Sequence, residues 1–93
     1  MKKSDIQLQQ EITHAKKIVV IHGIYAHYKN PENQYLVIDI AHQEATNKPC
    51  VVYKKLYGKK LLFIRDLDNW LEPATSNGKK VERFTFLRHA TVD

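Results

Sequence analysis

The chain has 93 residues, a length that supports one small domain with one hydrophobic core. Hydrophobic residues make up 43% of it and charged residues 27%, as in ordinary globular proteins, which argues against disorder throughout. The net charge of +5 permits nucleic acid or another acidic surface as a partner, but it does not demand one.

The single cysteine, Cys50, excludes an internal disulfide and is typical of a reducing compartment. Polar residues follow Met1, so the N-terminus does not read as a signal peptide. No apolar run approaches the roughly 20 residues that span a bilayer. We therefore expect a cytoplasmic protein with no membrane partner.

The N-terminal segment predicts a helix from Ser4 to Lys17. Ser4 can cap this helix, and Gln7 completes a capping box. One face carries the apolar residues and the other is polar, so the helix is expected to pack on the domain as an added element. A partner-binding arm is the alternative. The apolar face consists of Leu8, Ile12 and Ala15.

The β-branched run from Ile18 to Ile21 favours a strand over residues 17–22. The alternative is a longer helix, because Val19 continues the apolar stripe and Gly23 could cap the helix end. We prefer the strand.

Turn chemistry divides the rest of the chain into short segments. We predict strands at 24–28, 34–42, 49–57, 61–65 and 81–87, and a helical turn at 66–71 capped by Asp66. Asn77-Gly78 is a hairpin-turn signal. In the strand 34–42, simple alternation places four residues on one apolar face: Leu36, Ile38, Ile40 and His42.

This pattern predicts a mainly β fold of five to six strands with an added N-terminal helix. The architecture is either a small SH3-like barrel or a strongly bent antiparallel sheet. We expect one domain over residues 1–93, with a helical extension at 1–17, a β core at 18–87 and a frayed tail at 88–93.

Polar residues embedded in strand-like sequence are the candidates for chemistry. His42 continues an apolar face, and Glu44 shares that face if the strand extends so far. A buried imidazole or carboxylate costs several kcal/mol unless it is hydrogen-bonded, so we expect Tyr53 and Arg65 to satisfy the pair. The pair would then hold a ligand or move a proton. The structural alternative is a polar plug in which Glu44 accepts from backbone amides and pairs with Arg65.

Other chemistries lack a motif. No tight metal-ligand spacing joins His27, His42 and Glu44, and nothing local activates Cys50. The three glycines are isolated, so no phosphate loop is present. We predict no metal, no cofactor and no catalytic residue.

Tyrosines and lysines supply aromatic platforms and positive charge, the two requirements of single-strand binding in small β domains. The alternative is that the tyrosines are cross-strand core residues and the lysines are solvated. The residues concerned are Tyr25, Tyr28, Tyr53, Tyr57, Lys29, Lys54 and Lys55.

Short motifs follow one another from Gly23 to Phe86: Ile24–Asn30, Tyr35–Val37, Ile40–Glu44, Val51–Tyr53, Leu56–Gly58, Phe63–Arg65 and Arg83-Phe84. Their order and spacing resemble the small bacterial family known as domain of unknown function 1653. The positions that match its pattern are His27, Tyr28, Lys29, His42, Glu44, Tyr53, Tyr57 and Arg65.

The chain departs from the family pattern at Ala26, Asn30, Gln43, Ala45, Phe63 and Asp66, and the helix before Ile18 is an addition. Gln43 and Ala45 replace two hydroxyl residues, which weakens any mechanism that needs those hydroxyls. The resemblance implies a compact, SH3-type barrel-like fold and supplies no established activity.

The first functional hypothesis is a non-enzymatic binding module whose polar pocket takes a nucleotide, nucleic acid or another anionic ligand. The first alternative is a small enzyme with His42 and Glu44 as an acid/base pair and Arg65 holding an anionic substrate. The second is a protein-interaction adaptor that docks through the N-terminal helix or an edge strand. The expected pocket residues are Tyr25, His27, Lys29, His42, Glu44, Tyr53, Tyr57 and Arg65.

Overall fold

The structure, a computed structural model, describes residues 2–91. Its elements in chain order are α1 (Asp5–Ile18), β1 (Gly23–His27), β2 (Asn30–Gln43), β3 (Lys48–Lys55), β4 (Leu62–Asp66), α2 (Leu67–Leu71), β5 (Ala74–Ser76), β6 (Lys79–Val81) and β7 (Phe84–His89). Five strands form an antiparallel sheet in the order β4-β3-β2-β1-β7, and β5 and β6 form a separate hairpin.

The mainly β class and the N-terminal helix are confirmed. The five-stranded sheet stays open, with β4 and β7 at its two edges, so the bent-sheet alternative describes it and the SH3-like barrel does not. The register shifts within the β1–β2, β1–β7 and β2–β3 pairs. Such irregularities bend a strand and increase its twist, so the sheet can curve around its core without closing.

Helix α1 begins with the predicted capping box. The Gln7 backbone N–H donates to Ser4 Oγ over 3.2 Å, and the Ser4 backbone N–H donates to Gln7 Oε1 over 2.8 Å. Its apolar stripe faces the sheet, with Ala15 fully buried and Ile12 packed against the core. The helix is therefore fastened to the domain by its apolar face.

The strand predicted over residues 17–22 is wrong. Ile18 closes α1, and Val19 caps the helix by donating its N–H to the Ala15 carbonyl over 2.8 Å. Val19 has extended backbone angles and is 1% exposed, packed in the core, so the alternative of a helix continuing to Gly23 is wrong as well. Gly23 starts β1 instead of capping α1. A Cβ there would meet the Val20 carbonyl oxygen at 2.9 Å, so the close approach requires glycine.

Strand β2 contains an irregularity that changes which residues face the core. Val37 pairs with Tyr53 and Asp39 with Val52, which leaves Ile38 as an extra residue between two pairs. Val37 and Ile40 are both buried, although simple alternation places them on opposite faces. The predicted face of Leu36, Ile38, Ile40 and His42 is therefore wrong in part. Leu36 precedes the irregularity and does not share the face of Ile40.

The C-terminal part of the sheet extends further than predicted. Strand β7 reaches His89, and the Ala90 N–H donates to the His22 carbonyl over 2.8 Å. The expected fraying is therefore wrong for residues 88–90, and residues 92–93 lie outside the described range. The hairpin turn at Asn77-Gly78 is confirmed, with φ of 52° and 78°.

The core lies between the sheet, the end of α1 and the short helix α2. Trp70 of α2 stacks on Phe84 with ring centroids 3.7 Å apart and planes within 2° of parallel. Asp66 precedes α2 but makes no side-chain cap bond, contrary to prediction; it accepts instead from Cys50 Sγ over 3.5 Å. Within residues 2–91, no helix has the length and apolar character needed to cross a bilayer.

Candidate functional site

A cavity of about 340 Å³ opens beside the core, and every strand of the five-stranded sheet contributes to it. We call it the aromatic cradle. Tyr53 and Phe84 are buried and form its floor, while its other residues are partly exposed around them. The lining residues are His27, Tyr35, Tyr53, Lys55, Tyr57, Phe63, Arg65 and Phe84.

Arg65 is held in a fixed position at the cradle wall. Its Nη1 donates to Asn69 Oδ1 over 2.7 Å, a contact that the turn into α2 makes possible. Its guanidinium carbon lies 5.0 Å from the centroid of the Phe84 ring, within the range of a cation–π interaction. No ion pair among residues 2–91 includes Arg65, so its charge is oriented but not neutralised.

Lys55 supplies a second cation. Its Nζ lies 4.6 Å from the Phe63 ring centroid and 5.4 Å from that of Tyr57. The ammonium group thus occupies the aromatic faces that a cationic ligand would need. No carboxylate lines the cradle, so the cavity disfavours cations and favours anions.

Two tyrosine hydroxyls meet at the cradle rim. Tyr35 Oη and Tyr57 Oη lie 2.8 Å apart and share one hydrogen bond. Burial raises the pKa of Tyr35, and the bond to Tyr57 raises it further, so Tyr35 stays protonated at neutral pH. The two hydroxyls carry two protons, and only one of these is used in the hydrogen bond between them. The other proton can be donated to a ligand.

His27 faces the cradle as a neutral ring at neutral pH. Burial lowers its pKa from 6.5, and the positive charges of Arg65, Arg83 and Lys29 lower it further. The Lys29 backbone N–H donates to His27 Nδ1 over 3.2 Å, which assigns the ring proton to Nε2. That N–H is another donor. The polar groups of the cradle therefore offer mainly donors and positive charge.

Four of the predicted site residues come together in the cradle: His27, Tyr53, Tyr57 and Arg65. Tyr25 is buried on the other side of Trp70, where it lines a separate cavity. Lys29 is exposed beyond the end of β1 and does not line the cradle.

The predicted partners of His42 and Glu44 are wrong. His42 Nε2 lies 3.1 Å from Glu11 Oε1, and Glu11 Oε2 accepts from Lys3 Nζ over 2.8 Å. We call these three residues, Lys3, Glu11 and His42, the helix seam. The predicted partners are wrong because α1 packs against β2 and brings the Glu11 carboxylate to His42, a contact that the order of the strands does not reveal.

Glu44 is exposed just after β2, and no hydrogen bond or ion pair within residues 2–91 involves its side chain. Neither the acid/base pair of His42 with Glu44 nor the plug of Glu44 with Arg65 forms. No cluster of three potential metal ligands occurs in the part of the chain that the structure describes.

Four cradle residues were not among the predicted pocket residues: Tyr35, Lys55, Phe63 and Phe84, of which Lys55 was named only as a candidate for single-strand binding. Lys55 and Phe63 are each two residues from a predicted site residue on the same strand, so strand alternation could have found them. Tyr35 lies on the opposite face in a regular strand. It reaches the cradle because of the irregularity at Ile38, for which the sequence carries no signal.

Comparison with known proteins places this arrangement in a family. The model of the family described as "Protein of unknown function (DUF1653)" matches residues 23–86. The chain belongs to the DUF1653 family. The matched span contains all eight cradle residues and leaves out α1, so the cradle is built entirely from the DUF1653 part of the chain.

A crystal structure of a DUF1653 protein from Bordetella bronchiseptica is similar to this chain, with a TM-score of 0.65 and 30% sequence identity. The similarity covers 76% of this chain and 91% of that one. None of the curated proteins matches this DUF1653 chain in sequence.

Proposed function

We propose that this protein is a non-enzymatic binding module whose aromatic cradle holds an anionic ligand. The observation that carries the proposal is the pair of cations, Arg65 and Lys55, set against aromatic rings in a cavity with no carboxylate in its lining. Elsewhere in the described residues, Lys3 pairs with Glu11 and Lys16 with Asp39. An anion is the group that would complete the cradle in the same way.

Hydrogen bonding supports the same ligand class. Arg65, Lys55 and the His27 Nε2–H are donors at the cradle, and phosphate or carboxylate oxygens accept several donors at once. The tyrosine rings add flat apolar faces on which a base can stack. A mononucleotide combines both features, and a cavity of about 340 Å³ lies at the lower end of the usual range of small-ligand pockets.

We also propose a cytoplasmic location for the protein. Cys50 is a free, buried thiol, and burial raises its pKa, so it is an unreactive core residue of the kind found in reducing compartments.

The test is a calorimetric titration of the protein with adenosine monophosphate, with adenosine and with inorganic phosphate, each in a separate experiment. We expect the monophosphate to bind more tightly than either of its parts. Arg65→Gln should weaken its binding about tenfold or more, because a charge-assisted hydrogen bond contributes about 1.5–3 kcal/mol. Lys59→Gln is the matched control, since it removes the same charge from an exposed position outside the cradle.

Equal affinity of the Arg65→Gln variant and the unaltered protein would contradict the proposal, as would tighter binding of adenosine than of its monophosphate. Raising the salt concentration should weaken binding of the monophosphate, because salt screens partly exposed charges.

A further inference from the structure

A second and larger cavity, of about 490 Å³, lies across the Trp70–Phe84 stack from the cradle. It is bounded by the end of α1 and the residues after it, by α2, and by β6 and β7. We call it the apolar cavity. Phe84 lines both cavities.

The inner wall of the apolar cavity is uncharged, and its main side chains are Val19, Val20, Tyr25, Trp70 and Phe84; Phe86, which also lines the cavity, is 39% exposed. Its charged residues are at the mouth: Lys80 and Glu82 are exposed, and Arg83 Nε is bound to the Glu72 carbonyl over 3.2 Å. A charged ligand group would lose its water inside such a wall without gaining a partner, which costs several kcal/mol. The body of the ligand is therefore neutral and apolar.

One polar group on the inner wall is not fully used. The Tyr25 hydroxyl oxygen accepts from the Val20 backbone N–H over 2.9 Å, and no acceptor within residues 2–91 takes its proton. The residue is only 5% exposed. Burial raises the pKa of Tyr25 despite the bond from Val20, and the Glu82 carboxylate raises it further, so the hydroxyl remains a donor.

We infer that the apolar cavity binds a small neutral molecule with an apolar body and one acceptor oxygen, which receives the Tyr25 hydroxyl proton. The class includes ketones, esters and ethers of medium size. The volume of about 490 Å³ lies within the range of pockets that bury small ligands. This site is distinct from the cradle, and it does not depend on the anion proposed there.

The cavity contains its own reporter, because Trp70 is the one tryptophan of the chain and forms part of the wall. Tryptophan emission is measured while the full chain is titrated with methyl hexyl ketone, octanoate and octylammonium, which share one chain length. We expect a saturable change with the ketone and weaker binding of both charged analogues.

Two variants locate the site. Tyr25→Phe should weaken ketone binding about fivefold, since the net value of one hydrogen bond is about 1 kcal/mol. Val81→Phe should abolish binding, because Val81 lines the cavity and the larger ring fills it. Tyr28→Phe is the matched control, a half-buried tyrosine outside the cavity, and it should leave ketone binding unchanged.

Circular dichroism establishes that each variant is folded, and Val81→Phe carries the test if Tyr25→Phe is not. The inference is overturned if the ketone gives no saturable change, if a charged analogue binds more tightly, or if folded Val81→Phe binds the ketone as the unaltered protein does.

Discussion

The aromatic cradle and the helix seam both bring polar side chains together, but the charges in the seam are paired with each other and those in the cradle are not. In the seam, Lys3, Glu11 and His42 form a line of contacts of 2.8 and 3.1 Å in which the carboxylate lies between two nitrogen groups. In the cradle, Arg65 and Lys55 lie against aromatic rings and no carboxylate is present. The seam uses its charges to hold α1, whereas the cradle leaves its charges available to a ligand.

The two regions also differ in depth and origin. The cradle is built on two buried aromatic residues of the core and lies within the DUF1653 match. The seam joins β2 to α1, which lies outside that match, and its Lys3 and Glu11 side chains are 35% and 33% exposed. Changes in the cradle should therefore affect stability and binding together, while changes in the seam should affect stability alone and weakly.

The largest effect is expected at the cradle floor. Phe84→Ala removes a 5% exposed ring that stacks on Trp70, so the free energy of unfolding should fall by about 3–5 kcal/mol. Leu87→Ala, on the same strand and 41% exposed, should cost far less. Urea denaturation measures both. Equal losses would show that the cradle does not rest on the core as described.

A smaller effect is expected from the protonation of His27. Burial lowers the pKa of His27 from 6.5, and neighbouring cations lower it further; a bound anion offsets the cations, so binding should take up a proton at His27. Protonation of His27 should therefore contribute a gain in affinity for adenosine monophosphate as the pH falls below 6.5. Titrations at several pH values measure this change.

The control for that effect is His27→Gln. The phosphate of the ligand titrates in the same pH range, but this contribution is common to both proteins. The difference between their pH profiles isolates His27 and should amount to a severalfold gain for the unaltered protein at low pH. Superimposable profiles would remove His27 from the site.

The smallest effect is expected in the seam. Glu11→Gln should lower the free energy of unfolding by about 0.2–1 kcal/mol, the usual value for a partly exposed ion pair. The hydrogen bond from Lys3 is the main cause that lowers the pKa of Glu11 below 4.5. Because the folded-state pKa is lowered, this stabilisation is present above pH 4.5 and is lost as the pH falls through the folded-state value.

Glu44→Gln serves as the control for the seam, since Glu44 is exposed and makes no ion pair within residues 2–91. Thermal unfolding across the acidic range compares the two variants. A steeper acid dependence in Glu11→Gln than in the unaltered protein would contradict the assignment. Neither variant should change binding of the monophosphate.

Local signals were sufficient where the structure depends on near neighbours. The capping box at Ser4 and Gln7 and the hairpin turn at Asn77-Gly78 were predicted because each involves residues a few positions apart. The β-branched run after Lys17 favours a strand that does not form, because Ile18 ends α1 and Val19 packs in the core at the C-cap of the helix.

The candidate site shows the same contrast between features that depend on near neighbours and features that depend on tertiary packing. His27, Tyr53, Tyr57 and Arg65 could be selected as polar or aromatic residues in strands, and the structure brings them together. The partner of His42 could not be found in this way, because Glu11 is 31 residues away and reaches it only when α1 packs on the sheet.

By itself the sequence determined most of the helices and strands, the family and the kinds of side chain available, since periodicity and turn chemistry act over a few residues. Tertiary structure decided which face each side chain occupies and which charge meets which. One extra residue at Ile38 moves Tyr35 to the cradle, and one docked helix gives His42 its carboxylate. Both outcomes depend on the packing of segments distant in sequence, where burial and long-range pairing outweigh local pattern.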